Sequence, residues 1–421
     1  MQKEINPRMI AFRVLSRLEE HRSNSNILLQ EALSRVPEAS DRHLITDLVL
    51  GTLRWRGRLQ DTIARFSRRP TEQIDVRVQL ILQLGIYQLF FTRIPQHAAV
   101  YETVNLCRRI KMTSAASFVN GLLRGVQGKL PDMEEPRDLA RRWSHPGWLT
   151  FRWVERFGEE EAVLLMRVNN QAPAVVLRIN DLKAHAVDVL EHLRQEQVQV
   201  EPIAAGVFRV TEGSPQLTRA FVDGEFYIQD AGVETLGAIL RPQPGDRVLE
   251  IAAAPGGKTF QLALRMQDRG WIASVDSDGK RMKMWKRNIE RLGIRCAAPV
   301  VADARALPFR AQEYDLVAVD APCSSLGVIR RHPEIKWWRS EAELAGFGEL
   351  QLQILDACAK YVRSRGALVY SVCSFEPEET SQVCERFLNA HRDFSDAEQR
   401  TLFPHRDGTD GFFVTRFEKR G

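Results

Sequence analysis

Apolar positions in the first third of the chain recur at helical spacing. Ile10, Val14, Leu15 and Leu18 fall on one stripe, and Leu44, Leu48, Leu50 and Leu53 on another, the pattern of amphipathic helices packed on a core. The signal continues through Ala98–Ile110 and Ala115–Val126. The most apolar run, Val78–Phe91, is interrupted by Gln79, Gln83, Gly85 and Gln88. It is too short and too polar to span a bilayer, so it predicts a buried helix and no membrane association. Residues 7–130 are therefore expected to be helical. Pro131–Arg142, polar with two prolines and alternating charges, predicts a linker.

Past His145-Pro146 the pattern is mixed. Trp148–Val168 and Ala186–Leu193 predict helices, and Ala174–Ile179 and Val207–Val210 predict strands. From Asp246 onward the rhythm is strand, turn, helix. Val248–Ile251, Trp271–Val275, Ala298–Val301, Leu316–Val319 and Ala367–Tyr370 are short apolar runs, separated by amphipathic stretches such as Thr259–Met266 and Arg281–Leu292. This alternation predicts a mostly parallel, doubly wound sheet. The expected architecture is multidomain: an all-α domain over residues 1–142, a small α/β subdomain over 143–235, and an α/β domain over 236–421.

Composition narrows the class. With 421 residues, 44% hydrophobic and 27% charged, the chain can bury several cores and is neither a disordered tail nor a membrane protein. Met1-Gln2-Lys3-Glu4 lacks an apolar signal core, so a cytoplasmic location is expected. Six cysteines without a Cys-x-x-Cys pair suit a reducing compartment and leave thiols available for chemistry. The net charge of +5 is uneven. Residues 1–145 hold 23 Lys and Arg against 15 Asp and Glu, while the remainder holds 36 against 39. A basic module joined to a near-neutral one points to a polyanion partner for the first, with a solvated arginine-rich surface as the plainer alternative.

The strand Val248–Ile251 runs into Ala252-Ala253-Ala254-Pro255-Gly256-Gly257-Lys258-Thr259, a glycine turn that opens a helix. Gly257-Lys258-Thr259 fits the end of a Walker loop, but the first glycine such a loop needs is Ala252. The dinucleotide pattern G-x-G-x-x-G is absent. S-adenosylmethionine fits better. It calls for this turn, an acid after the second strand for the ribose hydroxyls, and an acid after the third near adenine. Asp276 and Asp303 stand at those places. A carboxylate suits a vicinal diol because it accepts from both hydroxyls; singly, an Asp at a strand end is more often a helix cap.

Asp320-Ala321-Pro322-Cys323-Ser324 follows the fourth strand and Tyr370-Ser371-Val372-Cys373-Ser374 the fifth, so each presents a cysteine beside the expected cofactor. The other four cysteines (Cys107, Cys296, Cys358, Cys384) lie in helical or ordinary contexts and read as buried hydrophobes. C5 of cytosine is too weak a nucleophile to take a methyl group directly. A thiolate adding to C6 turns C5 into an enamine-like carbon, which is the use covalent catalysis makes of a cysteine. Asp320 would serve as the partner at cytosine N3, and nearby positive charge would lower the thiol pKa.

These motifs resemble the RNA cytosine-5 methyltransferase family, and the likeness extends over nearly the whole chain. Arg330-Arg331-His332-Pro333-Glu334-Ile335-Lys336-Trp337, Asp410-Gly411-Phe412-Phe413, Leu177-Arg178-Ile179-Asn180 and Gln229-Asp230 are similar to further signatures of the family. Within it, the bacterial Sun/Fmu type is the nearest likeness. Arg93–Val104 and Phe118–Arg124 resemble the antitermination factor NusB, an RNA-binding helical fold. The resemblance implies a NusB-like all-α N-terminal domain, a pre-catalytic subdomain and a Rossmann-like methyltransferase domain. It implies S-adenosylmethionine held by Ala252–Lys258, Asp276, Asp303 and Asp320. It implies Cys373 as nucleophile, Cys323 in product release and Asp320 at cytosine N3. It also implies 16S rRNA as substrate, free or in early assembly, for a monomeric enzyme. In DNA cytosine-5 enzymes the Pro-Cys cysteine attacks instead, so this assignment of roles follows the family and not the spacing. Glu250-Ile251-Ala252 and Val372 depart from the family pattern, the latter standing where Thr is usual. Alternatives of other classes are another RNA such as tRNA, a DNA cytosine, or a decayed methyltransferase that only binds RNA.

Overall fold

The computed structural model describes residues 6–129 and 134–421. The Met1–Glu4 segment, and the 131–133 portion of the expected linker, lie outside the described residues. Contacts divide the chain into two compact units, Met1–Ala172 with Ile329–Glu341, and Pro173–Val328 with Ala342–Gly421.

The first unit is helical: α1 (Pro7–His21), α2 (Ser25–Leu33), α3 (Ala39–Phe66), α4 (Val76–Phe91), α5 (Gln96–Arg109), α6 (Ala116–Lys129), α7 (Leu139–Arg142), α8 (Gly147–Phe157) and α9 (Glu159–Asn169). Local chemistry sets the starts. Asn6 caps α1 by accepting from Met9 N, with Pro7 in the first turn. The apolar run forms α4, buried on nearly every side, which is why its periodicity is faint. Two expectations are corrected here. The far end of the linker stretch is a helical turn, α7, because Asp138 caps it by accepting from Arg141 N. Trp148–Val168 is two helices, broken at Gly158, whose φ of +82° an α-helix cannot accommodate.

The second unit holds two sheets. The smaller has the order β2 (Gln199–Ala204), β3 (Val207–Glu212), β1 (Val176–Ile179), β4 (Phe226–Ile228) and packs α10 (Ala186–Gln195), with α11 (Arg219–Val222) following β3. The larger comprises β5 (Arg247–Ile251), β6 (Trp271–Asp276), β7 (Ala297–Val301), β8 (Tyr314–Asp320), β9 (Val362–Val372), β10 (Phe394–Leu402) and β11 (Phe412–Lys419), in the order β10-β11-β9-β8-β5-β6-β7. Pairings from β7 through β9 are parallel, and β11 is antiparallel to both its neighbours.

Alternate residues of each central strand enter different cores. Leu249, Val317 and Leu368 meet Leu355 and Phe387 of α16 (Ala342–Ala359) and α17 (Ser381–Ala390). Val248, Leu316 and Val369 meet Leu236, Phe260 and Trp285 of α12 (Val233–Leu240), α13 (Gly257–Arg265) and α14 (Gly279–Leu292). Burial on both faces accounts for the continuous apolar runs. Register brings the strand ends to one edge: Ile251 pairs Val275, Asp276 pairs Val301, and Asp320 pairs Ser371.

Candidate active site

Between β5 and α13 the chain turns through Ala252 and Gly256, both with positive φ (58° and 110°). Glycine adopts that conformation without penalty and alanine does not. Beneath the turn, Glu250 accepts from Thr259 Oγ1 (2.6 Å) and Ser274 Oγ (2.7 Å), and Trp285 Nε1 donates to Thr259 Oγ1 (2.8 Å). Burial pushes the Glu250 carboxyl up to about 7, against those hydrogen bonds. Glu250 therefore braces the turn from inside the fold.

Beside the turn is a cavity of about 220 Å³ whose lining includes Ala252, Asp276, Asp303, Arg281, Pro322 and Ile354. Asp276, 3% exposed on its side chain, accepts from Ala254 N (3.2 Å) and Asp278 N (3.0 Å). Arg281 Nη1 lies 3.4 Å away. A carboxylate offers about four lone-pair sites, so capacity remains for a diol. Asp303 is half-exposed and is gripped by Arg305 Nε (3.0 Å) and Nη2 (2.7 Å), which hold its carboxyl down to about 2. Small residues at the turn, a fixed carboxylate and apolar walls fit a nucleoside-bearing cofactor. Ala253, Ala254, Pro255, Gly256 and Gly257 build the turn itself.

Lys258 and Asp320 stand together elsewhere on this edge. Lys258 Nζ is 2.5 Å from Asp320 Oδ2, Ser371 Oγ donates to Asp320 Oδ1 at 3.1 Å, and the ammonium lies 6.0 Å from the centre of the Phe412 ring. Burial works against the charge on Lys258, but Asp320 outweighs it and the pKa is raised.

The two strand-end cysteines meet. Cys323 Sγ and Cys373 Sγ are 3.0 Å apart, and Ser325 Oγ lies 3.5 Å from Cys373 Sγ. The hydrogen bond from Cys323 draws the Cys373 thiol below its ordinary value. Ser325 and the Lys258 charge act the same way, while burial and Asp320 oppose them. Cys323 moves the other way, well up, through that same hydrogen bond and its burial. Cys373 is the more exposed of the two. The other cysteines are all buried; burial alone pushes Cys107 up to about 11.

Several residues of this centre escaped the sequence reading. Glu379, buried, accepts from Ser324 N (2.7 Å), Ser324 Oγ (2.5 Å) and Ser374 Oγ (2.6 Å), so one carboxylate ties both cysteine loops together. Burial raises its pKa. Gly327 N donates to Cys373 O (3.0 Å), and Gly411 N to Gly327 O (2.7 Å). A Cβ on Gly327 would stand 2.1 Å from Gly411 O. The Asp-Gly-Phe-Phe signature thus has a concrete use, since Gly411 permits the backbone crossing that fixes the Cys373 loop. A signal for Glu379 was faint: one acid in a run of acids after the Cys-Ser motif.

The segment Arg330–Trp337 belongs to the first unit. There Glu334 accepts from Ser25 N (2.9 Å) and Oγ (2.8 Å), Lys336 Nζ donates to Arg54 O (2.8 Å), and Trp337 Nε1 donates to Leu53 O (2.8 Å). Its polar residues anchor chain to chain. Among the described residues no group of His, Cys, Asp and Glu could hold a metal ion, and no helix is long and apolar enough to cross a membrane.

Comparison with known proteins identifies the family. Three family models match: the 16S rRNA methyltransferase RsmB/F family over residues 237–418, the NusB family over 5–128, and the ferredoxin-like domain of RsmF/B-like methyltransferases over 145–210. The chain is 34% identical to the probable ribosomal RNA small subunit methyltransferase B of Bacillus subtilis, with both chains covered fully. It is 32% identical to ribosomal RNA small subunit methyltransferase B of Photorhabdus laumondii, again over both full lengths. Among solved structures, PH0851 superposes over all of both chains with a TM-score of 0.85 at 26% identity. A methyltransferase homologue from Pyrococcus horikoshii covers 67% of this chain and 98% of its own, with a TM-score of 0.60 at 28% identity. A NusB-like helical domain, a small ferredoxin-like piece and a Rossmann-like catalytic sheet, matched end to end by such relatives, place the chain in the RsmB/F family of 16S rRNA methyltransferases.

Proposed function

We propose that this enzyme methylates C5 of a cytosine in 16S rRNA through a covalent bond between Cys373 and cytosine C6. The observation that carries the reading is the 3.0 Å sulfur pair, in which one thiol is drawn toward the thiolate and the other held protonated. S-adenosylmethionine, when bound, supplies the electrophilic methyl group; Asp276 would hold its ribose, Asp303 would approach its adenine, and the Ala252–Lys258 turn would border it.

The chain's own residues do the rest. Cys373 attacks C6, forming the S–C6 bond, while Asp320 contacts N3 and Lys258 balances the charge of Asp320. C5, now enamine-like, is the carbon that becomes methylated. Solvent water then takes the C5 proton, the C–H pair re-forms the C5–C6 double bond, and the S–C6 bond breaks with the sulfur departing as thiolate. Cys323, held as the thiol, donates to that departing sulfur and so assists product release. Dividing one hard substitution into addition and elimination is the gain of nucleophilic catalysis. Residues 1–142 serve as the RNA-binding module, 143–235 as the pre-catalytic subdomain and 236–421 as the catalytic domain. The enzyme acts as a cytoplasmic monomer on free or early-assembly rRNA, where an unpaired cytosine avoids the few kcal/mol that flipping a base from a stem costs.

The test is C5-methylcytosine mapping on 16S rRNA with purified protein, beside the two cysteine variants. Wild type should mark one cytosine. Cys373→Ala should give neither product nor adduct, whereas Cys323→Ala should accumulate a protein–RNA adduct, visible as a slow band on a denaturing gel. The reverse pattern would exchange the cysteines' roles. Methylation of tRNA in place of rRNA would change the substrate, and RNA binding without any methyl transfer would mean a decayed enzyme.

A further inference from the structure

The stretches that carry the NusB likeness, Arg93–Val104 and Phe118–Arg124, belong to the first unit. They run into α5 and α6, and between these helices is a groove of about 580 Å³. His97, Tyr101 and Arg108 line it from α5, and Asn120, Arg124 and Gln127 from α6. Helix α5 satisfies its core through Ala99, Val100, Thr103, Val104, Leu106 and Cys107, so Tyr101 is not needed for packing. Tyr101 is 63% exposed.

The charge of the groove is of one sign. Arg108 Nη1 donates to Asn105 Oδ1 (3.0 Å) and Arg124 Nε to Asn120 Oδ1 (3.3 Å). Those acceptors are amides, which orient the guanidinium groups and neutralise nothing. Among the described residues that line the groove, none is acidic. An exposed aromatic face, two oriented cations and side-chain amides form the combination that single-stranded RNA requires. Bases stack on the ring, phosphates meet the guanidinium groups, and amides reach base edges.

We propose that the α5–α6 groove binds a single-stranded segment of the rRNA substrate, with a base stacked on Tyr101 and phosphates on Arg108 and Arg124. This rests on the reading of the chain as an rRNA-methylating enzyme and locates the contact within its helical domain. A duplex would not serve, because its bases are not free to stack on a side chain.

The experiment uses the full chain and a 16S rRNA transcript, with affinity followed by fluorescence anisotropy across a salt series. Tyr101→Ala should weaken binding about 5- to 100-fold, the range for loss of one base–aromatic stack, and Tyr101→Phe should keep most of the affinity. Arg108→Ala combined with Arg124→Ala should flatten the log K against log salt slope by about 1.4, at about 0.7 for each single-strand phosphate contact. In methyl transfer these variants should raise KM for RNA and leave kcat and S-adenosylmethionine affinity unchanged, which a misfolded domain would not do. If wild type methylates rRNA while the variants bind with unaltered affinity and slope, the groove is not the RNA site, as would follow if it seats a protein segment. If wild type neither binds nor methylates rRNA, the functional reading fails and the groove proposal with it.

Discussion

Lys258 and Lys336, one in each unit, show how burial treats an ammonium group with and without a carboxylate. Lys336 is 0% exposed, and its donors go to Arg54 O and Asn170 Oδ1 (2.8 and 2.9 Å). Burial, then the neighbouring Arg54 charge, pushes its pKa well below the ordinary lysine value. Lys258 keeps about a quarter of its side chain exposed and faces the Asp320 carboxylate at 2.5 Å. Its pKa rises. Neutral acceptors stabilise an ammonium less than a carboxylate does, and at Lys336 they do not offset burial and the Arg54 charge, so this lysine serves to tie backbone segments together. A paired lysine retains its charge and can act on a neighbouring thiol.

The sharpest way to break that contrast is to remove the charge of Lys258. Lys258→Met leaves the Asp320 carboxylate near Cys373 uncompensated, and both changes raise the thiol pKa. kcat/KM should fall by about 10²- to 10³-fold, the scale of losing one preorganised electrostatic contact. Site-resolved alkylation of Cys373 against pH should move its inflection upward, so that labelling at neutral pH slows. An unmoved inflection would mean that the lysine does not activate the sulfur.

A second contrast of the same kind separates Asp276 from Asp303. Asp276 ends β6 and Asp303 follows β7, both lining the cavity, yet only Asp276 is buried, with two backbone N–H donors, while Asp303 is half-exposed and held by Arg305. Calorimetry should show Asp276→Ala losing about 10- to 100-fold in S-adenosylmethionine affinity, as for hydrogen bonds to a buried charge. Asp303→Ala should lose only a few-fold, because Arg305 already occupies its carboxylate and solvent competes with the rest. Equal losses would show that exposure does not set their worth.

The candidate site at the sheet edge was legible because its motifs are local in sequence. Strand, turn and acid recur in order, and the buried strands announce themselves as apolar runs. Of the strands left unread, β2 and β10 are exposed along most of their length and carry no alternation to detect, and β4 is only three residues long. β11 was quoted only as the Asp-Gly-Phe-Phe signature. Its place beside β9 depends on a pairing between distant segments, such as Phe413 with Val372. Glu379 and Gly327 join segments far apart in the chain, Ser324 to Glu379 being 55 residues apart and Gly327 meeting Cys373 and Gly411, which no local pattern encodes. The two lysines make the same point. Each stands in a signature motif, Gly-Gly-Lys-Thr or Glu-Ile-Lys-Trp, and only the fold tells the charge-bearing one from the anchoring one.

The smallest expected effect on catalysis belongs to Lys336→Met. In wild type the folded first unit holds Lys336 with a pKa below its unfolded value near 10.5. Between those pKa values the unfolded chain binds more protons than the folded one, so stability rises with pH and falls as pH drops through that window. Arg54 adds cationic repulsion to the effect of burial on Lys336, while burial holds the His145 imidazole beside it well below its ordinary value and so without charge. Methionine fills similar space and cannot titrate, but it leaves Arg54 O and Asn170 Oδ1 without this donor. Above the window Lys336→Met should therefore be the less stable protein, by about 1–3 kcal/mol for each acceptor left unsatisfied. As pH falls the wild type loses stability and the variant does not, so the gap should narrow toward neutral pH. Melting temperatures from pH 7 to 10.5 should show converging curves, at about 2–4 °C per kcal/mol for a unit of this size. kcat and alkylation of Cys373 should stay at wild-type values throughout. Parallel melting curves would mean that Lys336 stays protonated in the fold, and the contrast between the two lysines would collapse.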